Sequence, residues 1–247
     1  MEILQNEVTQ PQLTEPVSKK TKEKKTKDEI LEILIVILLG ITALLTAWAS
    51  WIGALHGGNQ ANNYTQSNNI AADGNSRWNQ AAQLLSEDMT LWNEISGLQI
   101  DLSFAQEKGN TAEVERLEWR LDHLYADNVS EELEAAIVWA GEQDEYASPF
   151  EMEGFTESYF VDARAVLDEA ETVLKAGQED NTNGDTFGLV TVVYSMVLFL
   201  LGIASPFKSI KNKFVMVAIS AVGMIATTIF MLTLPLPTGF SLASFFS

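Results

Sequence analysis

Six lysines (Lys19, Lys20, Lys22, Lys24, Lys25 and Lys27) lead almost directly into residues 33–55, a stretch of 23 residues without one charged side chain. Wound as a helix rising about 1.5 Å per residue, such a run reaches roughly 34 Å, enough to cross a hydrocarbon core of about 30 Å. Near its end stand Trp48 and Trp51, whose rings favour the boundary between lipid and water. A chain carrying this segment has to satisfy two solvents. The rest of it is read from that constraint.

Two further runs, 187–204 and 214–234, lack ionisable side chains and are separated only by residues 205–213. They read as a membrane hairpin. The mean hydropathy of +0.04 therefore averages oil-facing helices with a very polar insert. The net charge of −19 is equally uneven. All 27 acids from Asp73 to Asp185 lie between the first and second runs, with six basic residues, a net of −21 for the insert. The other basic residues are the six N-terminal lysines together with Lys208, Lys211 and Lys213 in the hairpin turn. Lysines beside the first run and between the second and third place both on the cytoplasmic side of an inner membrane. The first run is much longer than the 7–15 residue core of a cleavable signal, so a retained signal-anchor is expected. The lipid bilayer is thus the one partner read directly. An insert this acidic repels nucleic acid. Cysteine is absent, which leaves disulfides and thiol chemistry out of the exported part.

The expected fold class is all-α, with three membrane helices and an extracytoplasmic helical bundle between the first and second. Residues 1–28 are polar and lysine-rich and are expected to be disordered and cytoplasmic. The first membrane helix covers 29–55, the acidic insert 56–185, the second membrane helix 186–204, the basic turn 205–213, the third membrane helix 214–234 and an extracytoplasmic tail 235–247. Inside the insert, Gly57-Gly58 predicts a bend at the membrane surface. From Trp78 a helical period follows through Ala82, Leu85, Met89 and Trp92 to Ile95, Leu98 and Leu102, and it predicts Trp78, Leu85 and Trp92 in a core. Gly109-Asn110 marks a stop, and Asn110 with Glu113 a cap for the next helix, whose stripe is Val114, Leu117, Leu121 and Leu124. Ser130 opens a third helix, Ser148-Pro149-Phe150 breaks the chain, and a last helix of the bundle is expected over about 156–176.

Candidate sites are few. Ala49, Gly53 and Gly57 fall four apart in the first membrane helix, and Ser220, Gly223 and Thr227 make a second small-residue stripe in the third. Small side chains at that spacing let helices approach closely, and the first stripe is assigned to a second copy of the chain, making a homo-oligomer. His123 with Asp122 and Asp127 has the elements of a metal pair but reads as a solvated helix face. His56 is expected to face headgroups. The segment 179–185 (Glu-Asp-Asn-Thr-Asn-Gly-Asp) partly resembles a calcium loop, yet Glu179 and Val190 occupy the places of its first Asp and last Glu. It reads as a flexible turn. Neither metal nor cofactor is expected, and no nucleophile or phosphate loop stands out. The membrane runs carry no buried charge of the kind ion-coupled transporters use.

The order of features is similar to that of an uncharacterised group of small bacterial three-span membrane proteins with an acidic extracytoplasmic helical insert. Trp48-Ala-Ser-Trp51, Gly57-Gly-Asn-Gln60, Ser148-Pro-Phe150 with Met152, and Leu201-Gly-Ile-Ala204 leading to Phe207-Lys208 carry the resemblance. It implies no activity. The leading expectation for function is a non-enzymatic interaction or scaffold protein with an unknown protein partner. A ligand sensor and an oligomeric pore are the alternatives.

Overall fold

A computed structural model describes residues 17–241, with side chains from 27 onward. Its helices are α1 (Val17–Glu107), α2 (Thr111–Asn128), α3 (Glu131–Gly141), α4 (Phe155–Ser158), α5 (Val161–Ala204) and α6 (Ile210–Leu232), with a 3₁₀ turn at Pro149–Glu151. No strand occurs among the described residues. α1, α5 and α6 are each long and apolar enough to cross a membrane. The chain is an all-α protein with three such helices and a helical bundle between the first and second. It divides into two compact units, Met1–Gln60 with Gln178–Ser247, and Ala61–Gly177.

Three helix boundaries differ from the expectation. α1 already begins at Val17, inside the stretch read as disordered; residues 1–16 lie outside those described. It also continues through Gly57-Gly58 without the expected bend. Two helical glycines cost about 1 kcal/mol each against alanine, but packing decides helix formation more than propensity does. Likewise α5 is unbroken through 179–185, so the expected turn and the calcium-loop likeness both give way to helix. Oxygens two residues apart point about 200° apart around a helix and cannot converge on one ion.

In the membrane unit the inward face of α1 is Leu31, Ile35, Leu38, Thr42, Ala49, Ile52 and His56, all buried, with Leu45 partly so. The steps alternate four and three, the spacing of helices packed at a shallow left-handed angle. α6 repeats it in Lys213, Val217, Ser220, Thr227 and Met231, and α5 in Tyr194, Val197, Leu201 and Ala204. One core joins Ile35, Leu38, Val197, Leu201, Ala204 and Val217. Another joins Ala49, Ile52, Phe187, Val190, Tyr194 and Met231. The opposite faces are apolar as well: Val36, Leu44, Phe199, Val222 and Ile229 are half or more exposed. Apolar side chains on both faces suit a helix whose outer solvent is lipid.

Polar contacts hold this unit from inside. Thr42 Oγ1 donates to Met224 Sδ at 3.2 Å, and the Tyr194 and Thr228 hydroxyls meet at 2.9 Å. Lys213, 2% exposed, donates to Asp28 Oδ1 at 2.7 Å and Glu32 Oε1 at 3.2 Å. One of the three lysines read as orienting the hairpin therefore points inward and ties α6 to α1.

The insert unit has two cores. Leu98, Ala105 and Leu117 pack with Leu102, Val114, Leu121 and Leu124, and Leu133, Ala136 and Phe155 with Leu91, Ile137, Phe150, Met152 and Tyr159. The local signals stand where the sequence placed them. Gly109 has φ +68°, Asn110 Oδ1 accepts from the Glu113 amide, Ser130 Oγ accepts from Leu133, and Ser148 caps the proline turn. Within this unit α1 lies against α5 through small residues. Ser67 Oγ donates to the Ala170 carbonyl at 2.8 Å. A Cβ on Gly74 would stand 2.8 Å from Leu167 Cγ, and one on Gly177 would stand 2.6 Å from the Tyr64 ring.

The predicted aromatic stripe is only half right. Ile95 and Leu98 are buried, but Trp78 is 38% and Met89 48% exposed, and Leu85 and Trp92 are half-buried. The buried line of α1 runs instead through Ser67, Gly74, Ala81 and Ile95, spaced in sevens. Small side chains there let α5 come close, and this turns the larger aromatics to the edge. Trp78 is covered by the Phe160 ring at 4.4 Å and the Arg164 guanidinium at 6.0 Å.

Candidate functional site

Two of the three small residues singled out for docking a second copy, Ala49 and Gly53, pack within the chain. Ala49 is fully buried in the core with Phe187 and Val190. A Cβ on Gly53 would meet Phe187 Cβ at 3.2 Å and the Gly184 carbonyl at 3.5 Å; one on Gly184 would meet the Gly53 carbonyl at 3.4 Å and the Gly57 amide at 3.9 Å. Across the hairpin, a Cβ on Gly223 would touch Val197 Cγ2 at 3.4 Å. Ser220 and Thr227 are buried. Thr227 Oγ1 returns to the Gly223 carbonyl at 2.7 Å, whereas Ser220 Oγ has no hydrogen-bond partner among the described residues. Ala49 and Gly53 of the first stripe thus face α5 of the same molecule, while a Cβ on Gly57 would meet nothing within 4 Å.

Beside this glycine pair lies a buried polar cluster that the sequence reading missed. His56, 1% exposed, turns inward, not toward headgroups. Its Nδ1 is 2.7 Å from Asp180 Oδ1 and its Nε2 is 3.2 Å from the Pro235 carbonyl, and its ring stacks on Phe187 at 5.8 Å. A carbonyl can only accept, so Nε2 carries a proton. Nδ1 then either donates to the Asp180 carboxylate or accepts from its acid form. Around the pair, Gln60 donates to Asn181 Oδ1 at 2.8 Å and Asn59 to the Thr238 carbonyl at 3.1 Å. These bonds join α1 to α5 and to the 233–241 segment, and Phe187 lies against the ring from the side. This geometry is that of a lock between the three. One signal pointed to it: His56 is four residues after Ile52, the next place in the four-three series.

His123 does not join its neighbouring aspartates. Its ring stacks on Trp119 at 3.9 Å and Nδ1 bonds the Trp119 carbonyl at 2.8 Å. Among the described residues no three His, Asp or Glu side chains gather as a metal set.

A feature that can receive something lies in the insert unit. A groove of about 550 Å³ opens between α1, α3 and the loop after α3. Trp92, Ile100, Ile137 and Ala140 give it apolar walls, Ser96, Gln99, Ser103 and Gln143 supply hydroxyls and amides, and Asp144, Glu145 and Tyr146 stand at the rim. No basic side chain lines it. Ile100 is 70% and Tyr146 86% exposed, more apolar and aromatic surface than a helix in water needs to show. Elsewhere in the unit Tyr159 donates to Asp88. Burial, reinforced by that carboxylate, holds its phenol well above the ordinary tyrosine range, so it is an anchor and not an acid–base group near neutrality.

No protein-family model, curated protein or solved structure matches the chain.

Because the His56 pair is buried, removing one member takes a close contact from the other. Replacing His56 with Phe should lower the stability of the full chain in detergent by about 3–5 kcal/mol. Asp180→Asn, which keeps an amide within reach of the ring, should cost distinctly less. Thermal unfolding of the two variants beside wild type checks the order; equal, small losses would mean that the cluster does not lock the helices.

Proposed function

We propose that the protein is a non-enzymatic interaction protein of the cytoplasmic membrane that presents its acidic helical insert outside the cell membrane to capture a basic, apolar segment of another protein. The groove carries this reading. Its aromatic and aliphatic walls suit a desolvated side chain, and its rim of Asp144 and Glu145 favours a cationic flank. The insert's net charge of −21 adds long-range attraction for such a partner. Aromatic anchors beside complementary charge are the usual composition of a binding hot spot. The membrane unit acts as its mount. Tyr194, Phe187, Ile52 and Leu201 fill the interior of the single chain, which favours an anchor over a pore. Ala49 and Gly53 of the first small-residue stripe already face α5 of the same chain, which favours capture through the groove over self-association through that stripe.

Orientation rests on the lysines. Those before the first apolar run and those at 208, 211 and 213 lie on the same side if all three helices cross, and that side is cytoplasmic by the positive-inside rule. A cysteine replacing Gly109 should react with an impermeant maleimide in intact spheroplasts, whereas one replacing Asn212 should react only after lysis. Labelling of the Asn212 position in intact cells would reverse the topology.

Binding is tested on the full chain in nanodiscs. An amphipathic peptide of leucine and lysine should perturb tryptophan fluorescence saturably, and the same peptide with glutamate for lysine should not. Trp92→Ala should abolish the response, and Asp144→Asn with Glu145→Gln should weaken it roughly tenfold, about 1.4 kcal/mol. Equal binding of both peptides, or indifference to all three substitutions, would reject the groove as the capture site.

A further inference from the structure

We propose that the groove between the N-terminal parts of the first and third membrane-spanning helices holds one anionic phospholipid. It measures about 360 Å³ and is lined by Lys27, Ile30 and Leu31 of α1 and Ile210, Lys211 and Phe214 of α6. Its wall is apolar, with Ile30 59% and Phe214 60% exposed, and among the described residues the only charged side chains that line it are the two lysines. The uncharged runs begin at residues 33 and 214, so the groove sits at the depth where acyl chains meet headgroups. Lysine stems lie along apolar surface while their ammonium ends reach for the headgroup layer.

The neighbouring acids sharpen the charge. Asp28 and Glu32 are next to the groove in sequence, yet both hold Lys213 on the inner side of the α1–α6 contact, at 2.7 and 3.2 Å. Glu29 does not line the groove. Among the described residues no ion pair engages Lys27 or Lys211, so two ammonium groups flank one apolar trough. A phosphodiester between them, with a chain along Ile30, Leu31 and Phe214, satisfies both features. A zwitterionic lipid brings its own cation against two more. Free phosphate leaves the trough empty. Basic pockets between membrane helices are established homes for anionic headgroups.

Native mass spectrometry of the full chain, with measured additions of dioleoylphosphatidylglycerol, dioleoylphosphatidylcholine or inorganic phosphate, tests this. The expected result is one retained phosphatidylglycerol per chain in preference to phosphatidylcholine, and no retained phosphate. Lys27→Gln and Lys211→Gln should each lower the apparent affinity about fivefold, and together roughly 25-fold. Lys208→Gln, outside the groove, should leave it unchanged. Melting in phosphatidylcholine identifies any variant that misfolds, and the two single variants decide the matter if the double one does. Equal retention of both lipids, retained phosphate, or an equal loss from Lys208→Gln would overturn the site.

Discussion

Close approach of helices through very small side chains is the contact on which the rest depends. Between lipid and protein there is little hydrophobic gain in pressing helices together, so packing and interhelical hydrogen bonds must hold them. Gly53 and Gly184 stand backbone to backbone, and that approach brings His56 within 2.7 Å of Asp180. The same closeness buries Phe187 and Tyr194 against α1 and α6. A larger side chain at either glycine would push the helices apart and open the polar cluster together with the core.

The insert solves the same problem in water with the same alphabet. Ser67, Gly74 and Ala81 on α1 are spaced by seven, as are Ala163, Ala170 and Gly177 on α5. Their small size accounts for the aromatic residues ending at the edge. Trp92 is left half-buried beside a groove with an acidic rim.

The class of fold was legible because long uncharged runs are coarse signals that need no register. Helix starts were legible for the opposite reason: Asn110 and Ser130 act within three residues of themselves. What escaped was periodicity inside the apolar runs. Where every residue is apolar, hydrophobicity cannot tell the inward face from the lipid face; the four-three series of Thr42, Ala49 and His56 is written in small and polar residues instead. Gly57-Gly58 and the polar 179–185 segment misled for a related reason. Each looks like a break in isolation, but tertiary contacts that no local signal reveals hold both in helix. The groove was hidden too, since its lining joins two separate stretches of the chain, 92–103 and 137–147.

The central claim is that the glycine face of the first membrane helix closes on α5 of its own chain. Gly53→Ile tests it most directly, read by thermal unfolding of the detergent-solubilised full chain together with its cross-linking ladder. Overpacking of this contact should cost about 1–3 kcal/mol and lower the melting temperature, with the ladder the same as that of wild type for the protein that remains folded. An unchanged melting temperature with loss of a wild-type oligomer band would contradict the account and assign the face to a second copy.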